Sequence, residues 1–118
     1  MEDLAPHIYR QRLLIEGIYQ REVDVDTILA YFDTLATGLG VTAAGKPVVN
    51  DSTGKGKVEN QGIEAFLPLI ESGVALYTWE SSRFLSLIIY TCRAFDKDQA
   101  VDITREFFAL SQSQHKEF

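Results

Sequence analysis

Three stretches of strand-forming residues follow one another between positions 63 and 93, and the gaps between them leave room only for turns. IEAFLPLI (63–70) is parted from VALYTW (74–79) by Glu71-Ser72-Gly73. VALYTW is parted from FLSLIIYTCR (84–93) by Glu80-Ser81-Ser82-Arg83. A parallel crossover needs roughly a dozen residues, so this region reads as an antiparallel unit. Ile70, Val74, Leu76, Tyr77 and Trp79 suit a half-buried sheet, and Glu-Ser-Gly does not. That interruption is either an ordinary turn or a strand broken for a chemical purpose.

The rest of the chain supplies the layer that such a sheet needs. HIYRQRLLIEGIY (7–19) reads as a further strand. Over 24–40 the period changes: Ile28, Phe32, Leu35 and Leu39 recur at helical spacing, with Leu29 and Ala36 widening the stripe. Asp24 or Asp26 caps the start of this helix, and Gly38 or Gly40 ends it. A strand is expected at 41–49, ending near Pro47-Val48-Val49, followed by a flexible polar loop at 50–60. The loop's Gly54-Lys55-Gly56-Lys57 lacks the spacing of a phosphate-binding P-loop. A last helix begins at Asp96 or Asp98 and turns Ala100, Ile103, Phe107 and Leu110 inward. The polar SQSQHKEF, with His115, is expected to be a solvated tail. The order β-α-β-β-β-β-α gives an α+β fold, an antiparallel sheet with both helices on one face. The other face is expected to be covered by a second copy, sheet to sheet.

Composition narrows the function classes. The 118 residues suffice for a single domain, residues 1–118, with one core. The longest apolar runs fall far below the ~20 residues that span a bilayer, and the acidic N-terminus has no apolar signal core. A net charge of −6 argues against nucleic acid or anionic membrane as partners. A single cysteine, Cys92, excludes an internal disulfide and suits a reducing compartment, so the expected location is cytoplasmic. With only His7 and His115 and no G-x-S-x-G motif, neither a hydrolase nor a metal site is indicated. From residue types alone, Ser72 reads first as a turn hydroxyl, Cys92 as a small core residue, and Tyr77 and Trp79 as packing aromatics.

The run ESGVALYTWE (71–80), then LIIYTCRAFD (87–96) and a helix containing REFF, resembles the small bacterial S-adenosylmethionine decarboxylases. Those enzymes carry Glu-Ser-His, then His-Thr-Trp-Pro-Glu, then a strand ending Phe-Thr-Cys-Gly before an aspartate-led helix. The separation of Ser72 from Cys92 matches the family's, and PHIYRQRLLIEGIY is similar to its first strand. The resemblance spans roughly residues 7–109.

What it implies is specific. Glu71-Ser72 would be the scissile pair: the serine hydroxyl attacks the preceding carbonyl, the chain breaks through an ester, and Ser72 becomes a pyruvoyl group. That ketone is the cofactor, an electron sink for decarboxylation in polyamine (spermidine) biosynthesis. Cys92 would be the acid that reprotonates the product. Trp79 and Glu80 would lie in the substrate-facing loop, and the ligand would be S-adenosylmethionine or a related small molecule. Three positions depart from the pattern. The histidine after the serine is Gly73, a second histidine that assists self-processing falls on Tyr77, and Trp-Pro-Glu is Trp79-Glu80-Ser81. A phenol with a reference pKa of about 10 is a poor base beside an imidazole near 6.5. The expected protein is therefore a divergent relative impaired in self-processing that keeps its ligand pocket. The alternatives are a working pyruvoyl decarboxylase of S-adenosylmethionine or another amino acid, with Tyr77 or a water in the histidine's place, and a non-catalytic dimeric α+β binding module.

Overall fold

The computed structural model describes all 118 residues, Met1–Phe118. In chain order the elements are β1 (Gln11–Tyr19), α1 (Val25–Leu39), β2 (Val48–Asp51), β3 (Ile63–Leu69), β4 (Ser72–Trp79), β5 (Phe84–Thr91), α2 (Lys97–Phe107) and β6 (Leu110–Glu117), with a 3-10 turn at Val58–Asn60. The six strands make one sheet in the order β2-β3-β4-β5-β1-β6, and every neighbouring pair is antiparallel.

Alternation decides which side of each strand is covered. Leu13 and Ile15 of β1, Leu67 and Leu69 of β3, Val74 and Leu76 of β4, and Leu85, Leu87 and Ile89 of β5 point under the helices. Helix α1 begins with a reciprocal cap: the Asp24 carboxylate accepts the Thr27 N–H at 2.8 Å, and the Thr27 hydroxyl accepts the Asp24 N–H. It ends at Gly40 in the left-handed region. Its buried residues are Ile28, Tyr31, Phe32 and Leu35. Asp96 caps α2 by accepting the Gln99 N–H at 3.1 Å.

The two helices lie on the same face and meet at Tyr31. Its ring packs 6.1 Å from Phe32 and 5.4 Å from Phe107, and its hydroxyl lies 2.8 Å from that of Thr104. Thr104 in turn donates to the Ala100 carbonyl at 2.7 Å, so its oxygen is free to accept from the phenol. Burial raises the Tyr31 pKa well above its ordinary value.

Four expectations need correction. The tail is not free: residues 110–117 form β6, an edge strand paired along β1 with Leu14 opposite Lys116 and Glu16 opposite Gln114. The strand expected at 41–49 is only Val48–Asp51, because Gly45 and Pro47 interrupt any ladder and Ala43 makes one isolated bridge to Leu69. Helix α2 buries Ala100, Val101 and Thr104, leaving Ile103 and Phe107 half-covered. It stops at Phe107, and Leu110, past the left-handed Ala109, already belongs to β6. Within the loop expected at 50–60, Asn50 and Asp51 still belong to β2. The remainder is tied down by the Gln61 side chain, which accepts the Gly54 N–H and donates to the Gly56 carbonyl.

The Tyr31–Thr104 pair makes an asymmetric prediction. Tyr31→Phe leaves Thr104 satisfied by Ala100 and should cost about 1 kcal/mol, whereas Thr104→Val strands a buried phenol and should cost about 1–3 kcal/mol. The double variant should be more stable than Thr104→Val alone. Urea unfolding of the three proteins checks the order, and a double variant as unstable as the sum of the singles refutes it.

Candidate functional site

The interruption at 71–73 is narrower than the sequence suggested. β3 and β4 are joined by two residues, Ile70 and Glu71, and Ser72 already pairs with Leu69 on one side and Thr91 on the other. So tight a hairpin demands an unusual backbone, and the serine supplies it. Ser72 has φ 142°, a region that L side chains rarely adopt. Such a residue stores on the order of 1–3 kcal/mol of strain.

Everything around the turn fixes the peptide before the serine. The Cys92 N–H donates to the Glu71 carbonyl at 2.8 Å. The Glu71 carboxylate, only 11% exposed, accepts the Thr42 N–H at 2.9 Å and lies 3.9 Å from the Arg93 guanidinium. Thr42 also accepts the Ile70 N–H at 2.9 Å, and Ala44 donates to the Pro68 carbonyl at 2.8 Å. Residues 42–44 thus run as a strap along the outer end of the hairpin. On the other side, the buried Thr91 hydroxyl donates to the Arg93 carbonyl, and the Gln11 amide both accepts from and donates to the Phe95 backbone. This holds the segment that carries Cys92.

Register also orders the face of the sheet away from the helices. Gly73, Tyr90 and Arg12 form one row across β4, β5 and β1; Phe66, Ala75, Ile88 and Leu14 form the next; Glu64, Tyr77, Ser86 and Glu16 the third. Ser72 opens onto an apolar recess of about 270 Å³ walled by Phe66, Ile88 and Tyr90. The Phe66 ring lies directly over Gly73, where an added Cβ would sit 2.5 Å from Cζ. A side chain at 73 therefore has no room unless Phe66 swings away. The neighbouring recess, about 180 Å³, is lined by Val48, Asn50, Glu64 and Tyr77 and shares Phe66 and Ala75 with the first.

The structure brings the backbones of Glu71, Ser72 and Cys92 together, with Cys92 exposed and not among the residues that line the recess at Ser72. It does not bring the other expected residues to them within one protomer. Tyr77 is exposed on the open face, five residues along β4 from Ser72 and about 16 Å away at the usual strand rise. Trp79 stacks on Phe84 at the far end of the strand. Glu80 lies beyond it, on a polar cavity of about 230 Å³ shared with Arg21, Asp51 and Arg83. His115 is exposed on β6, and His7 is exposed before β1. No group of three or more His, Cys, Asp or Glu side chains is placed to hold a metal ion.

Sequence reasoning did not find Thr42, Arg93 or Phe66. Thr42 and Phe66 act across long sequence separations or from a neighbouring strand, and Arg93 carries no local signal beyond its charge. The residues present fit the first step expected of a self-processing serine: a strained nucleophile, and a carbonyl already polarised by a backbone donor. At the position of the histidine that the family resemblance assigns to the elimination that would follow, this chain carries Tyr77.

Comparison with known proteins bears on the family and the fold. The family model for S-adenosylmethionine decarboxylase matches residues 20–118. The crystal structure of the adenosylmethionine decarboxylase from Aquifex aeolicus VF5 superposes with a TM-score of 0.69 at 14% identity, covering 94% of this chain and 89% of that one. A search of curated proteins finds no match. With the matched region running from the end of β1 to the C-terminus, the chain belongs to the S-adenosylmethionine decarboxylase family.

Proposed function

We propose that this protein is a divergent S-adenosylmethionine decarboxylase-like protein of polyamine metabolism, held before completion of self-processing, with a recess for S-adenosylmethionine or a related molecule beside Ser72. The observation that carries the reading is the Glu71-Ser72 unit: positive φ at the serine and the Cys92 N–H on the Glu71 carbonyl. Attack of the Ser72 hydroxyl on that carbonyl makes a C–O bond and breaks the C–N bond, and the hydroxyl proton passes to the departing amine. The negative charge that develops on the carbonyl oxygen is met by the Cys92 N–H. The ester then reverts unless a base removes the Ser72 Cα proton and expels the Glu71 carboxylate. A phenol, almost wholly protonated at neutral pH, is a poor agent for that step. A pyruvoyl group, where formed, supplies the electron sink for decarboxylation. Cys92, exposed at the end of β5, is the acid we assign to reprotonation.

The open sheet face supports a homodimer. Its central row, Phe66, Ala75, Ile88 and Leu14, is apolar, and Phe66, Tyr77 and Tyr90 are about 40% exposed. A two-fold axis lying between the two sheets, perpendicular to the strands and crossing β4 near Ala75, reverses the strand direction of the second copy. The partner's Tyr77 then comes over Gly73 and the partner's Trp79 toward the Ser72 end. This reconciles Tyr77, Trp79 and Glu80 as site residues with their distance from Ser72 in one protomer. No helix is long and apolar enough to cross a membrane, and we place the protein in the cytoplasm without a nucleic-acid partner.

Four experiments test the reading. Intact-mass analysis should find the purified chain uncut, while neutral hydroxylamine, which captures esters, should cut it between Glu71 and Ser72, and Ser72→Ala should resist. Complete spontaneous cleavage would instead identify a working decarboxylase.

Tyr77→His should release some C-terminal fragment bearing a pyruvoyl terminus without hydroxylamine, at a stability cost of about 1–3 kcal/mol at most. No cleavage in a folded variant would move the block to Gly73 or the 79–81 turn.

Sedimentation at micromolar concentration should give twice the 13.3 kDa protomer mass, and Ala75→Glu should give a folded monomer. A wild-type protein sedimenting only at 13.3 kDa removes the dimer. A thermal shift with S-adenosylmethionine separates the ligand-binding reading from a non-catalytic module that does not recognise it.

A further inference from the structure

We infer that the Glu71 side chain and the Thr42 backbone form a positioning clamp for the acyl shift, holding the scissile carbonyl against its donor. The inference rests on the acyl-shift reading above and adds residues that the reading itself does not need.

A carboxylate at the tip of a two-residue hairpin normally extends into water, because nothing lies beyond the tip to receive it. The Glu71 carboxylate is instead folded back and nearly covered, with one oxygen accepting the Thr42 N–H at 2.9 Å and the other facing Arg93 at 3.9 Å. These two partners come from opposite flanks of the turn. Thr42 lies on the strap after α1, and Arg93 lies immediately after Cys92, whose N–H meets the Glu71 carbonyl at 2.8 Å. One residue is thus gripped at three points: at its carbonyl by the Cys92 segment, and at its side chain by both flanks. Ile70, the other turn residue, is 71% exposed but is tied through its own N–H to the Thr42 carbonyl. The grip leaves the Glu71-Ser72 peptide little freedom to rotate its carbonyl away from the Cys92 N–H. It also resists relaxation of the left-handed Ser72 to an ordinary strand conformation.

Ordinary turn stabilisation would need none of this to be directed at the carbonyl. The clamp therefore predicts an effect on the rate of ester formation separable from folding. Rotation of the carbonyl off its donor removes the stabilisation of developing negative charge, which elsewhere is worth factors of about 10² or more in rate. Partial loosening is expected to cost at least about tenfold.

The test is hydroxylamine-dependent cleavage of the full-length protein, followed by mass spectrometry alongside melting temperature. Glu71→Ala should slow cleavage at least about tenfold, while Glu71→Gln, which keeps an oxygen for the Thr42 N–H, should stay within about threefold of wild type. Thr42→Pro removes the donor with Glu71 untouched and should reproduce the alanine effect; it serves if Glu71→Ala does not fold. Cleavage of folded Glu71→Ala at the wild-type rate overturns the clamp and leaves the acyl-shift reading standing. A Glu71→Gln protein as slow as Glu71→Ala also overturns it. A wild-type chain that hydroxylamine never cuts defeats the underlying reading itself.

Discussion

A sheet covered on one side only obliges its inner strands to send every second residue beneath the helices, and here that obligation fixes where Ser72 and Cys92 lie as well as the packing. Slipping β4 by one residue against β5 would put Val74 and Leu76 into solvent, and the burial of both at 1% exposure or less shows how strongly the register is specified. Register then places Ser72 opposite Thr91. Cys92 follows immediately, so its N–H is presented to the carbonyl of the residue before Ser72. The placement of Ser72 beside the Cys92 segment is in this sense a by-product of core packing some residues away.

The hairpin turn concentrates the cost. Joining β3 to β4 through Ile70 and Glu71 alone forces a non-glycine residue into a region of φ that glycine tolerates and serine does not. The surrounding hydrogen bonds, from Thr42, Cys92 and Ile70, over-determine the turn and keep the strain from relaxing. Phe66 over Gly73 closes the inner side of the same corner. A glycine at 73 is what lets an aromatic ring from the adjacent strand lie against the backbone there.

Much of this was legible in the sequence, for physical reasons that differ from element to element. Helix α1 shows a strong apolar stripe with a cap at each end, and the hairpins show alternating strand formers with short breaks. The relation of Ser72 to Cys92 was readable only through the family resemblance; in the fold, strands of equal length joined by a four-residue turn place their far ends side by side. β6 was not legible. An edge strand that buries almost nothing has no reason to alternate, and Ser111, Gln112 and Gln114 give no apolar period to read. The face of α2 was misjudged because Phe107 and Leu110 are apolar at helical spacing, while the helix ends between them. The role of the Glu71 side chain lay beyond reach, since its partner Thr42 is 29 residues away and contributes only a backbone N–H.

The strand order carries a consequence for what a cut at residue 71 would mean. The segment 1–71 contributes β1, β2 and β3, and the segment 72–118 contributes β4, β5 and β6, yet β1 lies between β5 and β6. Neither segment alone holds a continuous sheet: the first has β1 stranded from β2 and β3, and the second has a gap where β1 belongs. The helices are split the same way, with Tyr31 on one segment and its Thr104 partner on the other. Two polypeptides produced by scission would therefore be woven through one another, sharing a single core. The pairings that join the two segments, β3 to β4 and β1 to β5 and β6, do not run through the peptide bond between Glu71 and Ser72.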